Sequence, residues 1–62
     1  MAHEFMEQVL WNEVDHGYRA YVRISRNGKH WSKSRVGSTL EEADAFLPEL
    51  RKVVLEAAYE QP

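Results

Sequence analysis

Cationic and aromatic side chains are concentrated in one segment of this chain. Residues 16–37 hold six of the eight basic residues, whereas all ten acidic residues lie outside that segment. Tyr18, Tyr21 and Trp31 fall within it as well. Guanidinium and ammonium groups bind phosphates and guanine edges, and aromatic rings stack on bases. The net charge of −2 hides this division, which indicates a surface for nucleic acid or for an acidic protein.

Catalytic and metal-binding chemistry has less support in the sequence. The three histidines lack metal-ligand spacing, and the chain has no cysteine to accompany them. Ser32, Ser34 and Ser38 have no base nearby in sequence, and Glu41 and Glu42 fit the start of a helix. We therefore expect that the protein is not an enzyme and binds no metal or cofactor.

The basic segment has the pattern of a β-hairpin. Alternating β-branched and aromatic residues flank Asn27-Gly28, and this dipeptide is a strong hairpin signal. A two-residue loop would pair Ile24 with Trp31, whereas a three-residue loop with a bulge at Gly28 would pair Arg23 with Trp31. The two registers differ by one residue, so they place the side chains of the second strand on opposite faces.

Segregation of charge from apolar residues favours the bulged register. In that register Ala20, Val22, Ile24, Ser32, Ser34 and Val36 point inward. The outward face is then both basic and aromatic, and we predict that it is the nucleic-acid-binding site, formed by Arg19, Tyr21, Arg23, Lys29, Trp31, Lys33 and Arg35. If the loop has two residues instead, Trp31 turns inward and Lys33 and Arg35 leave this face.

A third strand is predicted at about residues 6–14, before a turn at Asp15-His16-Gly17. If Gly17 is left-handed, Trp11 pairs with Tyr21, and Leu10 and Val14 point inward. Helical spacing of the apolar residues leaves a helix as the alternative. Residues 1–4 are expected to be frayed.

A helix is predicted from about residue 40 to residue 59. Thr39-Leu40-Glu41-Glu42 is a capping-box pattern, and an apolar stripe follows at spacings of three and four. Pro48 should kink or break this helix. A helix of about 20 residues spans roughly 30 Å, which exceeds the strands, so its end should overhang the sheet. We expect the overhang to form a homodimer interface through Val53, Leu55 and Tyr59.

Size and composition complete the fold prediction. A chain of 62 residues forms one domain (1–62) and buries only about 60% of its unfolded surface. We predict an α+β fold in which a three-stranded antiparallel sheet (about 6–14, 18–25 and 29–36) is packed by the C-terminal helix. The absence of cysteine, of a membrane-length apolar run and of a signal-peptide pattern favours a cytoplasmic location without membrane contact.

Three short runs follow the order of a sheet and a helix: Tyr18-Arg19-Ala20-Tyr21-Val22-Arg23-Ile24, Asn27-Gly28-Lys29 and Gly37-Ser38-Thr39-Leu40-Glu41-Glu42-Ala43. Together they resemble AP2-type domains and the arm-site-binding N-terminal domains of phage and transposon integrases. The resemblance spans about residues 18–47 and implies a sheet that lies in the DNA major groove. It implies groove-facing positions for Arg19, Tyr21, Arg23, Trp31, Lys33 and Arg35.

The expected function is therefore binding of DNA or RNA by the basic-aromatic sheet face. The alternative is a protein-interaction module, such as a phage-like regulator that binds an acidic protein partner through the same face or through the helix. Both hypotheses depend on the register of the hairpin.

Overall fold

The computed structural model describes residues 4–60, with only the backbone at Glu4. The chain forms three strands, β1 (Glu4–Asn12), β2 (Gly17–Arg26) and β3 (Lys29–Gly37), followed by two helices, α1 (Leu40–Ala45) and α2 (Leu47–Glu60). Both strand pairs are antiparallel, and the order in the sheet is β1-β2-β3. The predicted α+β fold is confirmed. The predicted fraying of residues 1–3 lies outside the described residues, whereas Glu4 pairs with Ser25.

The β2–β3 turn has two residues, so the bulged register is wrong. Asn27 and Gly28 both have positive φ angles, 54° and 80°, and Arg26 pairs with Lys29. Two consecutive left-handed residues form the turn whose twist matches the flanking strands, and asparagine and glycine are the residues that adopt it at least cost. Ile24 therefore pairs with Trp31.

The β1–β2 turn comprises residues 13–16, and the strand before it ends two residues earlier than predicted. The side chain of Asn12 accepts a hydrogen bond from the Asp15 amide at 3.1 Å, and His16 takes the left-handed conformation (φ 52°) in place of Gly17. Trp11 consequently pairs with Tyr18.

The predicted inward orientation of Leu10 and Val14 is therefore wrong. Leu10 pairs with Arg19 on the face away from the helices and is 58% exposed. Val14 lies in the turn and is 87% exposed. Val9 instead packs against the core.

The predicted interruption of the helix is confirmed, and the two segments are bent by 36°. The Thr39 hydroxyl accepts a hydrogen bond from the Glu42 amide at 3.0 Å, as the capping box predicts. The Glu42 carboxylate accepts a hydrogen bond from the amide of Ser38 at 2.6 Å, one residue before the Thr39 amide that the capping box predicts. Pro48 falls in the first turn of α2, where a missing N–H breaks no helical hydrogen bond.

The core lies between the central strand and the helices. One face of β2 supplies Ala20, Val22 and Ile24, all with no exposed surface. The helices supply the remaining buried apolar residues, Ala43, Leu50, Val54 and Ala58. Helix α2 lies over β2 and β3, and the helix side of β1 is largely uncovered.

Candidate nucleic-acid interface

The face of the sheet opposite the helices, here called the open face, has no layer of the described chain above it. Side chains alternate between the two faces of a strand, and directly paired residues share a face. The pairing therefore assigns to the open face Met6, Gln8, Leu10, Arg19, Tyr21, Arg23, Ser25, His30, Ser32, Ser34 and Val36. This face divides into two parts. The β2 and β3 positions mostly carry hydrogen-bonding groups, whereas β1 contributes two large apolar side chains.

The predicted site residues of β2 lie on the open face. Arg19, Tyr21 and Arg23 alternate with the fully buried residues of the same strand. The Arg19 guanidinium donates to the Asp15 carboxylate at 2.8 Å, and its side chain is 45% exposed. Arg23 has no ion-pair partner among the side chains that the structure describes. Two arginines and one tyrosine thus project from the central strand on the open face.

The four predicted site residues of β3 do not share that face. The two-residue turn places Lys29, Trp31, Lys33 and Arg35 on the helix side. Trp31 packs against the core, and Arg35 stacks on the Phe46 ring at 4.3 Å and lies 3.8 Å from a Glu49 carboxylate oxygen.

Basic residues are tolerated on the helix side because β3 is an edge strand. The long stems of Lys29, Lys33 and Arg35 can cross apolar surface there and keep their charged ends in water, and all three residues are exposed. Arg19 pairs with Val36 and Arg35 with Ala20, so these two arginines do not face each other across the strands.

The open-face positions of β3 are occupied mainly by small polar residues, because Lys29, Trp31, Lys33 and Arg35 lie on the helix side. Ser32 and Ser34 are exposed on the open face, where the sequence interpretation had placed them inward. The Ser25 hydroxyl and His30 Nδ1 lie 2.7 Å apart across the hairpin. The Asn27-Gly28 dipeptide was the signal that could have identified these residues, because its preference for a two-residue turn decides their orientation.

Arg26, at the end of β2, joins the hairpin to the end of α2. Its guanidinium donates to the Ala58 carbonyl at 2.8 Å and lies 4.5 Å from the centroid of the Tyr59 ring. A basic group near the carboxyl end of a helix also stabilises the helix dipole.

The predicted overhang of the helix is wrong, because the bend at Phe46 divides it and the last turn packs on the sheet. Ala58 is fully buried, and Leu55 is half-buried against the core. Val53 and Tyr59, at 39% and 49% exposure, face partly outward.

The Glu7 side chain, on the helix side of β1, binds Arg51 of α2. Two nitrogens of the guanidinium donate to the two carboxylate oxygens, and the Nη2–Oε1 distance is 3.0 Å. These hydrogen bonds lower the pKa of Glu7 and raise the pKa of Arg51. Glu7 is the only acidic strand side chain that the structure describes. Its negative charge is compensated by Arg51, on the side of the sheet away from the open face.

Two depressions open to solvent flank β1. One, of about 370 Å³, is lined by Phe5, Met6, Arg23 and Ser25. The other, of about 280 Å³, is lined by Gln8, Leu10, Trp11, Asn12, Arg19 and Tyr21.

Within residues 4–60 no group of three or more histidine, aspartate or glutamate residues is placed to hold a metal ion, and no helix is long and apolar enough to cross a membrane.

Family models, curated proteins and solved structures give no match to this chain.

Proposed function

We propose that this protein binds nucleic acid through the open side of its β2–β3 hairpin. One observation carries the proposal: Arg19, Tyr21 and Arg23 project from the uncovered face of the central strand, and no described strand carboxylate shares that face. Arginine can donate two hydrogen bonds to a guanine edge or to a phosphate, and a tyrosine ring can stack on a base.

The sheet has dimensions suited to duplex DNA. Paired strands lie about 4.8 Å apart, so the three strands span about 10 Å between β1 and β3, and the major groove is about 12 Å wide. The neighbouring strand adds Ser32 and Ser34, whose hydroxyls can donate or accept a hydrogen bond. Bases would therefore meet a row of arginine, tyrosine and serine side chains.

Phosphate contacts would come from the border of the hairpin. Lys29 and Lys33 extend from the edge strand β3, are exposed, and have no ion-pair partner among the described side chains. With Arg19 and Arg23 engaged on bases, these two lysines supply two phosphate contacts. Two such contacts give a slope of roughly −2 for log affinity against log salt concentration on duplex DNA.

The distribution of the acidic residues supports this orientation. Exposed carboxylates are concentrated in the helical layer, on the opposite side of the sheet from the proposed ligand, at Glu41, Glu42, Asp44, Glu49, Glu56 and Glu60. The net charge of −2 therefore coexists with a cationic open face. Fields from charges across the domain are screened over a Debye length of about 8 Å at physiological ionic strength.

The test compares two variants that lose one positive charge each. Arg23→Gln changes the open face, whereas Lys52→Gln changes an exposed cation of α2. Fluorescence anisotropy with labelled duplex and single-stranded oligonucleotides would be measured over a salt series. We expect about tenfold or greater weakening for Arg23→Gln, the cost of losing one good bidentate contact, and little change for Lys52→Gln. Equal effects of the two variants, or no binding of either oligonucleotide at low salt, would refute the proposal.

An acidic protein is the second candidate partner, because arginine and tyrosine are frequent hot-spot residues and here lie together on an exposed face. Under this alternative, Arg23→Gln abolishes capture of a protein that Lys52→Gln still captures, and the oligonucleotides do not compete.

A further inference from the structure

The two edges of the sheet differ in how they are protected. An edge strand exposes a row of unpaired backbone N–H and C=O groups, and charged side chains, especially lysine, discourage pairing with another chain. The β3 edge carries Lys29, Lys33 and Arg35. The β1 edge is nine residues long and contains neither lysine, arginine nor proline. Glu7, its only charged side chain that the structure describes, is held in the ion pair with Arg51.

Large apolar side chains are exposed on both faces of β1. Phe5 and Trp11, on the helix side, are 40% and 52% exposed. Met6 and Leu10, on the open face, are 45% and 58% exposed. A long apolar edge strand of this kind is a surface that pairs readily with another strand.

We infer that β1 pairs antiparallel with β1 of a second copy of this chain, forming a homodimer with a continuous six-stranded sheet. A two-fold axis perpendicular to the sheet, passing through Gln8, pairs each residue with one on the same face of the partner. Phe5 then lies opposite Trp11 of the second copy, and Met6 lies opposite Leu10. Every exposed apolar side chain of the strand meets another.

This register is also the one that uses the whole strand. Gln8 is the midpoint of Glu4–Asn12, so all nine residues have partners, and alternate pairs would form about eight to ten backbone hydrogen bonds in total. A shift of two residues toward the amino end places the two Glu7 side chains directly opposite each other, and like charges in that position are destabilising. A shift of two the other way places Leu10 opposite Gln8.

The helical layers leave room for this arrangement. Both layers lie on the same side of the six-stranded sheet, and the two β2 strands are three strand spacings apart, or roughly 14 Å. Packed helices are separated by 8–10 Å, so a trough remains above the two β1 strands. Two Phe5–Trp11 pairs would fill it. The Glu7–Arg51 ion pairs would border the trough and keep both carboxylates neutralised.

Self-pairing of β1 ends the assembly at two chains. Each chain has one β1 edge, and the outer edges of the dimer are both β3, which is protected by its basic residues. The contact is isologous, as in most homodimers. It also gives a chain of 62 residues the additional burial that domains of this size often require.

The register can be tested by cross-linking because the chain has no cysteine. In Gln8→Cys the two new thiols lie opposite each other at the two-fold axis, with Cα atoms about 4.5–5.5 Å apart, which is within the range for a disulfide. Mild oxidation should convert this variant to a covalent dimer much faster than Ser34→Cys, which places an exposed thiol on β3. Equal rates for the two variants would overturn the inference.

A charge pair provides an independent test by sedimentation equilibrium. The unaltered protein should have about twice the 7.3 kDa mass of the chain. Leu10→Glu should raise the dimer dissociation constant about tenfold or more, since it places a carboxylate against Met6 of the partner. The double variant Met6→Lys with Leu10→Glu should restore the dimer, because each introduced lysine then faces an introduced glutamate.

Three results would overturn the inference. They are a monomer at the highest soluble concentration, a dimer unaffected by Leu10→Glu, and failure of the double variant to restore association while circular dichroism shows native folding. Dissociation by Val53→Glu instead would assign the interface to the helix. These measurements use no nucleic acid, so their outcome is independent of the proposed function.

Discussion

Two adjacent valines of α2 allow the packing of the helix on the sheet to be measured with an internal control. Val54 is 1% exposed and lies in the core, whereas Val53 is 39% exposed. Valine to alanine removes the same two methyl groups at either position and improves helix propensity equally, by about 0.5 kcal/mol. The difference between the two variants therefore isolates burial.

The expected magnitudes follow from these exposures. At Val54 the lost transfer free energy is about 1.6 kcal/mol for two methyl groups, and the residual cavity adds about 1 kcal/mol. After the propensity gain, Val54→Ala should lower the free energy of unfolding by about 2 kcal/mol. Val53→Ala should cost at most about 0.5 kcal/mol, because part of its side chain is already in water and the propensity gain offsets the rest.

Urea unfolding, followed by tryptophan fluorescence and far-UV circular dichroism, would measure both values. Protein concentration must be identical for all samples, since the dimer inferred above would make apparent stability depend on concentration. In thermal unfolding a loss of 2 kcal/mol corresponds to a fall in Tm of roughly 8–16 °C for a domain of this size. If Val53→Ala costs as much as Val54→Ala, the orientation of α2 described above is wrong.

Three further predictions concern the turns, the cap and the ion pair. Gly28→Ala should cost about 1 kcal/mol in chemical denaturation, because φ is 80° although a Cβ there would meet no other atom; no loss would mean a different turn. Thr39→Ala should cost about 1 kcal/mol by removing the cap of α1, and Thr39→Ser should retain most of the stability; equal losses would argue against the cap. Arg51 lowers the pKa of Glu7, so the stability from this pair is complete above the unfolded-state pKa of about 4.3 and is lost as the pH falls through the lowered pKa. Arg51→Gln should therefore flatten the dependence of unfolding midpoint on pH between pH 5 and the acid range; an unchanged profile would exclude the pair as its cause.

The fold class followed from patterns that are strong over short distances. The capping box at Thr39, the interruption near Pro48 and the alternation along β2 each predicted a local structure that the fold confirms. These patterns depend on local backbone hydrogen bonding or on the two-residue period of a strand. None of the three requires knowledge of the neighbouring strand.

The orientation of β3 could not be derived by separating charge from apolar residues. That criterion treats a basic side chain on the helix side as buried, whereas an edge strand lets Lys33 and Arg35 keep their charged ends in water. The Asn27-Gly28 dipeptide was the better guide, because both residues readily take the left-handed conformation that a two-residue turn needs. At the other turn, His16 rather than Gly17 takes the positive φ angle, an arrangement that the more permissive glycine made hard to foresee.

The central strand carries both the core and the proposed site, in alternate positions, and this limits how the sequence can vary. Point substitutions on β2 can change either stability or recognition alone, because neighbouring residues serve different faces. An insertion or deletion of one residue within the strand would exchange the two sets, exposing the core residues and burying two arginines. Homologues are therefore expected to vary this strand by substitution and to keep its length, while length changes accumulate in the turn at residues 13–16.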